Sequence, residues 1–225
     1  MEELKNQSTN IPNYLKIAVT GGIGSGKSTV CGLIKELGYP VFSCDEIYAS
    51  MLSEPEFASA MEILFPGATN GGAVDKRALL RIILQNKQSI EKLNAFTHPK
   101  IMVRLMEQAD EAAAKEREKR LENGANIAEP ILVFAEVPLL FEGKYDGLFD
   151  KIIVVKRNET EKIASVIARD KCKEDVVKEK MSLQFDYSLP PEEENYPSFD
   201  KIVFLENNDS IDRLKIKIKK IIRAF

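Results

Sequence analysis

The chain of 225 residues carries no surplus of positive charge: 32 lysines and arginines stand against 35 aspartates and glutamates, a net of −3. It therefore lacks the basic footprint of a duplex-DNA binder, and nucleic acid is not an expected partner. Cysteine is scarce. Cys31, Cys44 and Cys172 are odd in number and lack CxxC spacing, so they indicate neither a disulfide framework nor a zinc site, and a reducing compartment fits them best. Long apolar runs are missing as well. The longest, Ile131–Phe141, is broken by Glu136 and Pro138 and falls far short of the ~20 residues a membrane helix needs. Residues 1–14 are polar, contain no signal-peptide core, and read as a flexible leader. With no address found, the cytoplasm is the expected location, and no membrane partner is expected.

The rest is ordinary globular material. Hydrophobic residues at 44% and charged residues at 30% exclude a disordered, collagenous or coiled-coil chain. A chain this long buries roughly 70% of its unfolded surface, so it needs no staple to fold, and one or two domains are expected. Short runs rich in Val, Ile and Phe recur at Leu15–Val19, Pro40–Ser43, Ile131–Glu136, Lys151–Val155 and Lys201–Leu205. Near-continuous apolar runs separated by helix-length segments predict a parallel α/β sheet covered on both faces. Two helical insertions interrupt it. The first holds an amphipathic stretch at Asp75–Leu84 and a charged run at Glu107–Glu122 that predicts a solvated helix. The second, from Arg157 to Tyr196, is dense in Lys and Glu and closes on two prolines and the acidic run Glu192–Glu194, which reads as a solvated loop. Near the C-terminus, Ile211, Leu214, Ile218, Ile221 and Ile222 share one helical face, predicting a helix docked on the sheet.

The informative segment is Gly21-Gly22-Ile23-Gly24-Ser25-Gly26-Lys27-Ser28-Thr29, which satisfies GxxxxGK[ST] directly after an apolar strand and before a helical pattern running to Gly38. Glycines let the backbone curl so that successive N–H groups point inward, and the helix start adds its positive dipole end. Lys27 then reaches the β- and γ-phosphates, Ser28 is placed to ligate Mg²⁺, and Thr29 lies towards the α-phosphate. The expected ligand is a nucleoside triphosphate with Mg²⁺. Kinase, GTPase switch and ATPase module all remain open, although the NKxD of GTPases is missing, since the nearest string is Asn86-Lys87-Gln88-Ser89. At the end of the second strand, Asp45 either accepts a proton from an attacking hydroxyl or caps the helix that begins there.

Four local matches make the chain resemble the dephospho-CoA kinases: Thr20 to Thr29, Leu37-Gly38 through Asp45, Leu93 through His98-Pro99, and Val137-Pro138-Leu139-Leu140-Phe141-Glu142. The resemblance implies a three-layer α/β/α P-loop NTPase fold with a five-stranded parallel sheet. It implies transfer of the ATP γ-phosphate to the ribose 3′-hydroxyl of dephospho-CoA, the last step of coenzyme A synthesis. It further implies a nucleotide-binding core of residues 15–52, 125–156 and 197–225, a helical substrate domain of 53–124, and a lid of 157–196. Asp45 takes the catalytic aspartate position, and Arg169 is the lid arginine expected to close over the phosphates. Arg77, His98 and Glu142 fall with the substrate-binding positions. For His98 the residues themselves offer another reading, a helix start formed with Thr97 and Pro99. Glu142 either orients water on Mg²⁺, pairs with a base, or is solvated. Departures are specific: Ser43 replaces the first aspartate of a DxD, Lys76 precedes Arg77 where an arginine is usual, and Ser165 occupies the first position of a paired-arginine set. Tyr187 follows Gln184 where a basic residue is usual. Another P-loop metabolite kinase and a catalytically silent nucleotide-binding module are the alternatives.

Overall fold

The computed structural model describes residues 13–85, 87–126, 128–190, 192 and 195–225. Most of the proposed leader, and Glu193 and Glu194 of the acidic run, lie outside the described residues. The chain divides into two compact units: the residues up to Phe42 with Gln108–Phe225, and Ser43–Glu107.

The first unit is built on five parallel strands, β1 (Tyr14–Thr20), β2 (Val41–Ser43), β5 (Ile131–Glu136), β6 (Lys151–Lys156) and β7 (Ile202–Glu206), in the order β2-β5-β1-β6-β7. All five are the strands expected from the apolar runs. β1 opens at Tyr14, so the last residue assigned to the leader pairs with Ile131 instead. Side chains alternate between the faces. Leu132 and Phe134 of β5 join Ile17 and Val19 of β1 under Val30, Leu33 and Ile34 of α1 (Lys27–Glu36) and Leu214, Ile218 and Ile222 of α8 (Ile211–Ile222). The intervening Ile131 and Val133 face the other way and meet Ala109 and Ala113 of α5 (Lys87–Glu122). The charged run is therefore not simply solvated. Its alanines form a buried stripe, and only the remaining faces carry the charge.

The second unit is helical: α2 (Cys44–Met51), α3 (Pro55–Leu64), a hairpin of β3 (Thr69–Asn70) and β4 (Ala73–Val74), α4 (Lys76–Ile83), and the first turns of α5. Gly71 and Gly72 join the hairpin with φ of 61° and 81°, as a two-residue turn between twisted strands requires. The Asp75 carboxylate caps α4 by accepting from the amides of Arg77 and Ala78. The expectation that Thr97 and Pro99 begin a helix is corrected: Pro99 lies inside α5. An interior proline disfavours a helix by about 3 kcal/mol. What carries α5 through it is burial of Leu93, Ile101, Met102, Leu105 and Met106, together with the buried Thr97 hydroxyl, which donates to the Leu93 carbonyl at 2.9 Å.

These boundaries differ from the three parts implied by the resemblance. The helical unit begins at Ser43, so Asp45 belongs to it, and it ends at Glu107 because the following alanines pack on β5. Residues 157–196 contribute α6 (Glu159–Asp170) and α7 (Glu174–Ser182) and form no unit of their own. Ile163, Val166 and Val177 share an apolar cluster with Ile23 of the glycine-rich loop. No helix among the described residues is long and apolar enough to cross a membrane.

Candidate active site

The glycine-rich loop leaves the carboxyl end of β1, between β5 and β6, and enters α1. Ligands bind at this edge of parallel sheets. Its bends are backbone-determined. Gly21, Gly24 and Gly26 have φ of 146°, 76° and 92°, and at each a Cβ would meet a neighbour within 2.5 Å: the Val155 carbonyl, the Lys162 carbonyl and the Asn207 amide, respectively. Gly26 is the N-cap of α1 and supplies no capping side chain. The Lys27 ammonium folds back over the loop, donating to the Gly21 carbonyl at 2.7 Å and the Gly22 carbonyl at 3.1 Å.

Two residues that sequence reasoning passed over complete this cradle. Glu136, the last residue of β5, is 8% exposed and accepts a 2.8 Å hydrogen bond from the Ser28 hydroxyl. Its signal in the sequence was a carboxylate closing an otherwise apolar strand, visible only as an interruption of the run. Asn207, just past β7, is equally buried. Its side-chain amide donates to the Ser25 carbonyl at 2.8 Å, and its backbone N–H donates to the Lys156 carbonyl at 2.8 Å. Burial, with Glu136 nearby, pushes the Cys31 thiol well above the usual range, which makes it an inert core residue.

Gly26→Ala is expected to damage loop and fold together. The left-handed backbone alone disfavours alanine by about 1–2 kcal/mol, and the new Cβ would lie 2.2 Å from the Asn207 amide nitrogen. A melting point lowered by roughly 2–8 °C is expected, with ATP affinity lost. Unchanged melting in a scanning-fluorimetry comparison would mean that neither the left-handed backbone nor the Asn207 contact strains the variant.

The segment after α7 is fastened across the start of the loop. The Gln184 side-chain oxygen accepts from the Ile23 amide at 2.7 Å, and the Tyr187 hydroxyl lies 3.1 Å from the buried Thr20 hydroxyl. Rings hold it there: Phe185 packs on Phe141 at 4.8 Å and on Tyr196 at 5.3 Å, and Tyr196 packs on Phe204 at 5.0 Å. Burial pushes the Tyr196 hydroxyl up to about 12, so it remains a donor to the Leu189 carbonyl at neutral pH. Among the described residues Glu142 meets no base. Its carboxylate accepts from the Phe185 amide at 2.8 Å, tying the Leu139–Glu142 turn to this segment.

The remaining expected residues fall in different places. Arg169 is near the C-terminus of α6 and 64% exposed, with its guanidinium on the carboxylate of Asp170. In the helical unit, Asp45 is exposed in the first turn of α2, and Ser43 rather than Asp45 is the N-cap. Cys44 beside it is half-buried. Arg77 is exposed in the first turn of α4. His98 is half-buried within α5, and burial holds its imidazole below the usual histidine range, hence neutral at pH 7. A groove of about 460 Å³ in this unit is lined by Met51, Phe57, Phe96, Lys100 and Arg104 among others, with Arg104 paired to Glu54 by two hydrogen bonds. Asp45, Arg77 and His98 do not line it.

The loop suits a polyphosphate. The Ser25 hydroxyl is 1% exposed with no hydrogen-bond partner among the described residues, and the first turn of α1 has no side-chain cap. Ser28 and Glu136 present hard oxygen donors side by side, the ligand chemistry that Mg²⁺ prefers.

Comparison with known proteins agrees with this chemistry. The family model for dephospho-CoA kinase matches residues 15–212. A dephospho-CoA kinase from Thermus thermophilus is 32% identical over 206 residues, covering 92% of this chain and 89% of that protein. One from Fusobacterium nucleatum is 31% identical over 209 residues, covering 91% and 95%. Among solved structures, that of TT1252 from Thermus thermophilus superposes with a TM-score of 0.69 at 30% identity, covering 95% of this chain and 98% of that one. Because the match runs through both the phosphate loop and the helical unit, and not through a P-loop core alone, the chain belongs to the dephospho-CoA kinase family.

Proposed function

We propose that this chain transfers the γ-phosphate of ATP to the ribose 3′-hydroxyl of dephospho-CoA, releasing CoA and ADP. The observation that carries the reading is the Ser28–Glu136 pair beside Lys27, at the carboxyl edge of the sheet, in a chain of this family. The acceptor oxygen forms a bond to the γ-phosphorus while the bond to the bridging oxygen of ADP breaks. The hydroxyl proton passes to the carboxylate of Asp45. Such a transfer is loose, so positioning and charge stabilisation dominate it.

In this reading the loop amides of residues 22–29 bind the phosphates, and Lys27 meets the charge that moves onto the leaving oxygen. Ser28 and Glu136 would hold Mg²⁺, which when bound supplies positive charge against the phosphates. The helical unit, with Arg77 and His98, receives the acceptor. Residues 157–196 serve as a lid, with Arg169 its mobile cation. Glu142 acts by anchoring the 184–188 segment.

The test mixes protein, MgATP and a panel of alcohols and nucleosides, and follows ADP release. Release that depends on dephospho-CoA supports the assignment. Release with a different acceptor, or none with any, overturns it.

A further inference from the structure

Arg157 was given no role by sequence reasoning, yet its position is unusual. It directly follows β6, and the two basic residues there diverge: Lys156 turns away to donate to the Leu189 carbonyl at 2.7 Å, whereas Arg157 turns to the phosphate loop. Its Nη1 donates to the Ser165 hydroxyl at 2.8 Å and makes a longer, 3.4 Å contact to the carbonyl of Gly24 at the loop tip. Its Nε donates to Glu161 at 3.1 Å, and Nη2 has no partner among the described residues. Glu161 is 42% exposed, and an i,i+4 pair of that kind contributes little. The ion pair therefore does not account for a guanidinium held only 27% exposed against Gly24.

Two further observations place the group beside a binding space. The loop tip touches the first turns of α6, since a Cβ on Gly24 would lie 2.5 Å from the Lys162 carbonyl. A cavity of about 230 Å³ opens there, lined by Gly22, Ser25, Arg157, Lys162 and Tyr187 among others. Ser165 is also the position where the sequence resemblance places an arginine, and a serine is too short to project a charge. The guanidinium of Arg157 reaches the Ser165 hydroxyl, so an arginine extending from 165 would start from the place where that of Arg157 ends.

We propose that Arg157 contacts the bound nucleotide, supplying from the end of β6 the planar cation that Ser165 does not provide. The inference rests on the loop holding ATP. Hydrogen bonds from a guanidinium to an anionic ligand are among the stronger ones, and an ammonium lacks their planar fork.

The test measures binding of ADP and of inorganic tripolyphosphate by calorimetry, beside melting curves. Arg157→Ala is expected to weaken ADP by about ten- to a hundredfold with melting little changed, and Arg157→Lys to recover only part of that loss. The transposed variant, Arg157→Ala with Ser165→Arg, is expected to return within about fivefold of the unaltered protein, an outcome a purely structural brace would not give. A loss shared by tripolyphosphate assigns the contact to the phosphates, and a loss confined to ADP assigns it to the nucleoside; both support the inference. Unchanged ADP affinity in Arg157→Ala, or a loss the transposed arginine leaves uncorrected, overturns it. If Arg157→Ala melts early, Arg157→Gln, which keeps a donor for Ser165 without the charge, carries the same comparison. Absence of ADP binding by the unaltered protein would overturn the nucleotide reading itself, and this inference with it.

Discussion

Lys27→Ala is expected to lower turnover by roughly a thousandfold or more, to the point of abolishing it in an ordinary assay. The ammonium already lies over the cradle, within hydrogen-bond reach of the Gly21 and Gly22 carbonyls. It needs little reorganisation to meet a phosphate chain, and pre-placed charge is what phosphoryl transfer demands. Alanine is a good helix former at the start of α1, so the variant should fold. ADP release measured on protein with an unaltered melting curve decides the matter. Normal turnover in that protein would remove the loop from the mechanism.

Asp45→Asn is expected to separate binding from chemistry. Asp45 is exposed in the first turn of α2, and the cap belongs to Ser43, so asparagine forfeits only the modest attraction of a carboxylate for a helix start, about 0.3–1 kcal/mol. ATP affinity, read by calorimetry, should be retained. Turnover should fall by about 10²- to 10⁴-fold, because the amide keeps the shape but cannot accept the hydroxyl proton. A variant that still turns over at the original rate would transfer the role to another group. A parallel loss of ATP affinity would show that Asp45 serves the nucleotide instead.

How much of this was legible in the sequence follows from the range of each interaction. The five strands could be read because strands buried on both faces must be apolar almost throughout, and the phosphate loop because its glycines and lysine are contiguous. Pro99 misled because a proline beside Thr97 looks locally like a helix start. The apolar spacing of Ile101, Met102, Leu105 and Met106 continues beyond it, and their burial sustains the helix. Glu136 was opaque for a different reason. Its partner Ser28 is 108 residues away, and only the pairing of β1 with β5 brings them together. Arg157 drew no notice because the expected lid cation was Arg169 on α6, and the contact of Arg157 with Gly24 joins residues 133 apart in the chain. The unit boundary after Phe42 was equally hidden, because what ends the sheet unit there is packing across the chain and no linker composition marks it.

The bond from Asn207 to the Ser25 carbonyl spans 182 residues. During synthesis, the GxxxxGKS motif leaves the ribosome long before the amide that braces it, which follows the braced serine by 182 residues. A nascent polypeptide halted before β7 would carry every residue of the motif and still lack the brace. Nucleotide capture should therefore appear only once β7 and Asn207 have emerged, as a single step with completion of the sheet.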